Sequence, residues 1–191
     1  IEGTQGSYAM VLETVGKLAE EYISANAGEI DATGCTLQNG KVILPEGTKE
    51  NLAKLCELGA MGLMIPTEFG GMNCPSVIST AVLEIISAAD ASLQNFVGLA
   101  VGVAEAINEF GSPELKAKYL PKLATGENTA AMVLTEADSG SDLSHIRTKA
   151  VYDEAQKVWR ITGSKRFITN GCGEILVVLA RSEVNDGTRG L

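Results

Sequence analysis

Along the first 128 residues, apolar side chains recur at helical spacing. In "YAMVLETVGKLAEEYISA", Val11, Val15, Leu18 and Tyr22 share one face with charges between them, which predicts an amphipathic helix. "TLQNGKVIL" sets Asn39-Gly40 between two short extended pieces, the pattern of a tight hairpin. "TKENLAKLCELG" predicts a short helix opened by a Thr48 cap and stopped at Gly59. The Gly- and Pro-rich "MIPTEFGGMNCP" predicts a loop. Residues 75–89 and 92–109 predict two helices separated near Asp90. Both are apolar around most of their circumference, which places them in the centre of a bundle. In "SPELKAKYLPKLATGE", Ser112 is the cap, Pro113 takes the first helical position and Glu114 sits in the first turn.

After Asn128 the texture changes. "TAAMVLT", "IRTKAVYD", "KVWRITG", "KRFITNG" and "EILVVLA" are short, rich in Val, Ile, Thr and aromatics, and bounded by turn residues. They predict strands. Helices first and strands afterwards make an α+β chain with segregated layers or separate domains, divided into 1–128 and 129–191. A further strand is expected after "SEVNDGTRG", so the β part looks cut off, and the start at Ile1 without Met points to a trimmed N-terminus.

Composition narrows the function classes. A net charge of −9 opposes a nucleic-acid partner, because affinity for phosphate backbones comes from Lys and Arg. No apolar run approaches the roughly 18 to 20 residues needed to cross a bilayer, and no signal peptide opens the chain. Four cysteines without a C-x-x-C pair, beside the single His145, argue against a zinc site. They fit reduced thiols in a cytoplasmic protein.

The stretch "LTEADSGSDL", residues 134–143, is the first candidate for chemistry. An ordinary loop with Asp and Ser bonding locally is one reading. A calcium loop counted from Asp138 fails, because Leu143 stands where Gly is wanted and Lys149 where Glu is wanted. A P-loop, a dinucleotide fingerprint and a nucleophile elbow also fail on spacing. A backbone-rich cradle remains. Gly140 allows close approach, while Ser141 and Thr135 each offer a hydroxyl and an N–H. Such groups suit the carbonyl and ring-nitrogen edge of a flat heterocycle.

The second stretch is "WRITGSKRFITNG", residues 159–171. The series "LTEADSGSDLSHIRTKA", "WRITGSKRFITNG" and "VVLARS" strongly resembles the acyl-CoA dehydrogenase family. Upstream, "GAMGLMIPTEFGG" and "FGSPELKAKYLPKLATGE" are similar to that family's helical domain, so the resemblance covers nearly the whole chain.

The resemblance implies an N-terminal all-α helical bundle domain followed by a truncated antiparallel β-barrel domain. It implies FAD as cofactor, an acyl-CoA substrate dehydrogenated to a trans-2-enoyl-CoA, and an electron-transfer flavoprotein or similar acceptor. A homotetramer and a place in fatty acid metabolism are implied as well. Carried over by motif, Met132, Leu134 and Thr135 border the flavin, with Leu134 and Thr135 at its pyrimidine edge. Gly140 and Ser141 lie toward the diphosphate, and Ser141 also reaches substrate. Phe167 packs against the ring, with Ile168 beside it, and the Thr169 hydroxyl lies near N5. On a strand, Phe167 and Thr169 face one side and Ile168 the other. Gln94, Asn95 and Gly98 fall where relatives line the acyl tail, although a bundle helix explains them equally well. The family's catalytic Glu lies in the C-terminal bundle, beyond Leu191, so no catalytic residue is named here.

Three positions depart from the family pattern. Ala137 follows Thr-Glu where Pro is usual, Met132 replaces a common aromatic, and Phe167 replaces a common Trp. Glu136 and Asp142 read as structural, Lys165 and Arg166 as exposed strand-end charges ahead of a place near phosphates, and His145 as a surface residue. Oxidase chemistry in the same pocket, or a non-catalytic scaffold, would carry the same motifs.

Overall fold

A computed structural model describes residues 2–183, 188, 190 and 191. Helix α1 (Glu2–Leu18) runs through one π turn (Ala19–Ile23) into α2 (Ser24–Thr33). Within that turn the Ser24 hydroxyl donates to the Ala19 carbonyl at 2.9 Å. Val15, Ala19 and Ile23 are buried in the core with Val11 and Leu18 packed against it, whereas Tyr22 is exposed, so its place on that face is corrected: the π turn brings Ile23 inward instead. Strands β1 (Thr36–Gln38) and β2 (Lys41–Ile43) form the expected hairpin. Asn39 and Gly40 both hold positive φ, at 51° and 76°, the geometry a two-residue hairpin turn needs.

Helix α3 (Glu46–Glu57) begins before the predicted cap. Pro45, in extended conformation, is the N-cap. Thr48 lies inside the helix, buried, so its assignment as a cap is corrected. Its hydroxyl, like Asn51 Nδ2, has no partner among the described residues.

Helices α4 (Ser76–Ala89) and α5 (Ala91–Phe110) are separated by Asp90 in an extended conformation. Asp90 Oδ1 accepts from the Ser92 N–H at 2.8 Å, the Leu93 N–H at 3.1 Å and the Ser92 hydroxyl at 2.7 Å. These bonds satisfy N–H groups that the start of α5 would otherwise orphan. Of the two helices, α5 alone is central. It buries Leu93, Val97, Ala100 and Ala104 along one stripe, together with Val101 and Val103. Helix α4 buries Ser79, Val82 and Ile86 on one face and leaves Val77 exposed, so its expected central place is corrected.

Two cores meet along α5. Leu93, Val97 and Ala100 pack with Val15, Ile23, Leu55, Met61, Val82 and Ile86. Val103 and Ala104 pack with Leu120, Leu123, Ala130 and Ile175. Each such Val, Leu, Ile or Met side chain contributes about 1.5–3 kcal/mol of burial, so α5 fastens the β part to the bundle. Helix α6 (Pro113–Thr125) starts as expected: the Ser112 hydroxyl accepts from the Leu115 N–H at 3.4 Å.

The chain is α+β: a helical bundle followed by a β part that does not close into a barrel. Strands β3 (Ala130–Val133) and β6 (Ile175–Val178) pair in parallel, with Ala130 opposite Ile175. Strands β4 (Lys149–Asp153) and β5 (Val158–Thr162) form an antiparallel hairpin. The chain after β6 joins it, since the Arg181 N–H donates to the Thr148 carbonyl at 2.8 Å and the Ala150 N–H to the Arg181 carbonyl at 2.9 Å. The loop "SEVNDGTRG" lies largely outside the described residues. Among the described residues no helix is long and apolar enough to cross a membrane.

Candidate functional site

"KRFITNG" is not a strand. Phe167 and Asn170 hold positive φ, at 56° and 52°, and the segment closes through turn bonds from the Gly171 N–H to the Ile168 carbonyl and from the Gly173 N–H to the Asn170 carbonyl. The Asn170 amide pins the segment to β3, donating to the Ala130 carbonyl at 2.9 Å. A left-handed residue breaks the side-to-side alternation of a strand, so the expected pairing of Phe167 with Thr169 on one side is corrected. Phe167 is 86% exposed, with the Arg166 guanidinium 5.4 Å from its ring centre.

Where the chain leaves β3 it meets this segment directly. Lys165 Nζ donates to the Leu134 carbonyl at 2.7 Å and lies 3.0 Å from Glu136 Oε1. The Arg166 N–H donates to the Thr135 carbonyl at 2.9 Å. Glu136 Oε2 accepts from the Arg147 N–H at 2.8 Å, and Oε1 from the Thr148 N–H at 3.0 Å. The two side chains of the ion pair are 9% and 8% exposed, so the reading of Lys165 as an exposed strand-end charge is corrected; only Arg166 is exposed. Burial pushes the Glu136 carboxyl up, but hydrogen bonds from Thr148, the Arg147 N–H and Lys165 outweigh it and hold the group at about 2.

Between these anchors the loop carries Gly140 and Ser141, both exposed. The buried Ser139 donates to the Asp142 carbonyl at 2.6 Å, and Asp142 Oδ1 caps the Ser144 N–H at 2.9 Å. The hydrogen bonds to Ser144 hold the Asp142 carboxyl below its ordinary range. Apart from its two chain neighbours, no described residue comes within 4 Å of where a Gly140 Cβ would sit, so packing does not demand glycine there.

A cleft of about 980 Å³ opens beside the second segment. Ile168 and Thr169 line it, facing Asn95 and Phe96 of α5, the Asp90 cap and Thr48 of α3. Asp90 Oδ2 and Thr48 Oγ1 are buried without a hydrogen-bond partner among the described residues, an uncommon condition for polar atoms in a folded chain. The lining includes Asp31 and Asp90 and neither Lys nor Arg.

The predicted residues therefore divide. Leu134 and Thr135 sit against residues 165 and 166, and Met132 is half-buried against the second core. Ile168 and Thr169 open into the cleft; Phe167 does not line it. Gln94 and Gly98 lie one turn apart on the α5 face near Leu83 of α4, outside the cleft lining, where Asn95 and Phe96 stand instead. Sequence reasoning missed Lys165 and the orphaned Asp90 oxygen. The Asp-Ala-Ser pattern at Asp90 marks a cap in the sequence, whereas nothing local marks Lys165 as buried.

Comparison with known proteins places this arrangement. Residues 7–127 match the family described as acyl-CoA dehydrogenase, N-terminal domain, and residues 131–191 match acyl-CoA dehydrogenase, middle domain. The chain belongs to the acyl-CoA dehydrogenase family. It is 38% identical over 186 residues to the 3-methylmercaptopropionyl-CoA dehydrogenase of Ruegeria pomeroyi, covering 94% of this chain and 32% of that protein. It is 40% identical over 142 residues to the very long-chain specific acyl-CoA dehydrogenase, mitochondrial, of Homo sapiens, covering 71% of this chain and 21% of that protein. The acyl-CoA dehydrogenase of Bacillus anthracis, solved complexed with FAD, superposes with a TM-score of 0.79 at 28% identity, over 93% of this chain and 29% of that one. This chain thus spans less than a third of each of the three.

Proposed function

We propose that this chain is the FAD-binding edge of an acyl-CoA dehydrogenase, which dehydrogenates an acyl-CoA thioester at its α,β carbons to a trans-2-enoyl-CoA. One observation carries the reading: the two motif segments are bonded residue to residue at the end of β3, and the second opens into the cleft beside α5. The residues fit a flavin in kind. Lys165 and the Arg166 N–H occupy the Leu134 and Thr135 carbonyls, while the Thr135 hydroxyl has no partner among the described residues. Donors at that edge suit the carbonyls and ring nitrogens of an isoalloxazine. Open space at Gly140 and an exposed Ser141 suit a diphosphate passing the loop.

In this reading Met132, Leu134, Thr135, Ile168 and Thr169 border the ring, and Gly140 and Ser141 bind toward the diphosphate. Phe167 reaches the ring from outside the cleft. Bound FAD supplies the hydride acceptor. The chain's own residues orient the ring, exclude water with Ile168 and Phe96, and receive the acyl group. Gln94, Gly98 and Ser141 are the proposed substrate contacts, with Asn95 and Phe96 added by the cleft. A cleft bearing two carboxylates and no cation suits an uncharged acyl chain, so the phosphates of both ligands must lie outside it. Domains divide at 128/129, in the interval between the end of α6 at Thr125 and the start of β3 at Ala130. An electron-transfer flavoprotein or similar acceptor, a homotetramer and a role in fatty acid metabolism complete the proposal on family grounds, and a cytoplasmic location rests on the free cysteines.

The test uses the full-length protein, purified and made anaerobic. A flavin absorbance band that bleaches on adding a straight-chain acyl-CoA is the expected result. A protein that carries no flavin, or whose band persists, contradicts the reading.

A further inference from the structure

We propose that Lys165 is a positioning residue whose ammonium, with Glu136, fixes the direction in which Thr135 presents its N–H and hydroxyl to the flavin. The inference rests on the flavin reading above. Three consecutive residues are held from one short segment. The Lys165 ammonium bonds the Leu134 carbonyl at 2.7 Å and Glu136 Oε1 at 3.0 Å, on the two sides of Thr135. The neighbouring Arg166 N–H takes the Thr135 carbonyl itself at 2.9 Å. With the Leu134 and Thr135 carbonyls and the Glu136 carboxylate all bonded to residues 165 and 166, the peptide planes on both sides of Thr135 are held in place.

The same carboxylate closes the loop that follows. Glu136 accepts from the Arg147 and Thr148 N–H groups, at 2.8 and 3.0 Å, on the far side of Gly140 and Ser141. One buried ion pair therefore fixes the strand end at Thr135, the loop at Gly140 and Ser141, and the start of the segment that carries Ile168 and Thr169. Charge-assisted bonds inside the protein are short and stiff, which suits a group whose task is to hold donors on a ligand edge. Lysine brings three donors on one flexible stem, and two of them are used here. A pair kept for stability alone would have no need to spend one of them on a backbone carbonyl beside a cofactor-facing threonine.

The experiment compares full-length wild type with Glu136→Gln, Lys165→Met and the double variant, which leaves neither charge unpaired in the interior. Apo-protein of each is titrated with FAD, and the visible flavin band is recorded alongside the melting temperature. Lys165→Met and the double variant are expected to bind FAD at least tenfold more weakly, with a shifted band. Glu136→Gln, which keeps the tie to Leu134, is expected to lose less affinity than either. If Lys165→Met or the double variant folds and binds FAD within twofold of wild type with the same band, the pair is structural and the proposal fails alone. If neither folds, the pair serves the fold and the proposal likewise fails. If wild type itself binds no FAD, the flavin reading fails with it.

Discussion

Glu136 shows how much one side chain carries here. It is almost fully buried, yet its carboxyl is held at about 2 because Thr148, Arg147 and Lys165 all bond its charged form. A folded-state value below the ordinary 4.5 means that its contribution is complete above about pH 4.5 and is lost as pH falls toward 2. The expected loss across that window is up to about 3 kcal/mol, less whatever solvent screening removes. Thermal unfolding followed from pH 6 to pH 2 checks it: Glu136→Gln should flatten the acid limb of the curve. Gly140 offers the opposite case. With open space where its Cβ would sit, Gly140→Ala should leave the melting temperature unchanged or slightly raised, by up to about 1 kcal/mol of stability. It should weaken FAD binding if the diphosphate passes there; thermal unfolding of the full-length protein measures the first effect and calorimetric titration with FAD the second.

At the scale of elements, α5 is the member on which the rest is assembled, and its start depends on Asp90. Asp90→Ala removes the acceptor of three hydrogen bonds and should cost about 1 kcal/mol, whereas Asp90→Asn, itself a good cap, should cost less than half of that. Urea unfolding midpoints separate the two. Elements built from local rules were legible in the sequence. The Asn39-Gly40 hairpin, the Ser112-Pro113 helix start and the left-handed Gly59 follow from turn and cap chemistry within a few residues. The start of α3 misled because Thr48 has the chemistry of a cap, yet the extended Pro45 hands the chain into the helix earlier. Residues 165–172 misled for a different reason. Their composition is that of a strand, but Asn170 bonded to Ala130 and Lys165 bonded to Leu134 set their path, and those bonds span 40 and 31 residues. Local propensity cannot register partners so far away.

For the whole molecule, the distribution of charge matters more than its sum. The net charge is −9, and the cleft repeats that sign, with Asp31 and Asp90 in its lining and no cation beside them. An acyl group ending in a carboxylate would meet two like charges in a partly enclosed space. Full-length protein should therefore favour pentanoyl-CoA over glutaryl-CoA by at least about tenfold in kcat/KM, or 1.4 kcal/mol. Steady-state assays with the two thioesters decide it, and equal rates would show that the acyl group does not lie against these carboxylates. The two-core arrangement along α5 was not legible in the sequence, because α4 and α5 are both apolar enough to be central and only packing distinguishes them.

The most direct test is the dissociation constant of FAD for apo full-length protein, in wild type and in the Thr135→Val and Thr169→Val variants. If these two hydroxyls lie at one ring edge, wild type binds FAD in a one-to-one ratio, and each variant binds at least about tenfold more weakly with a displaced visible band. Wild type that binds no FAD, or variants that bind it as wild type does with the same spectrum, would contradict it.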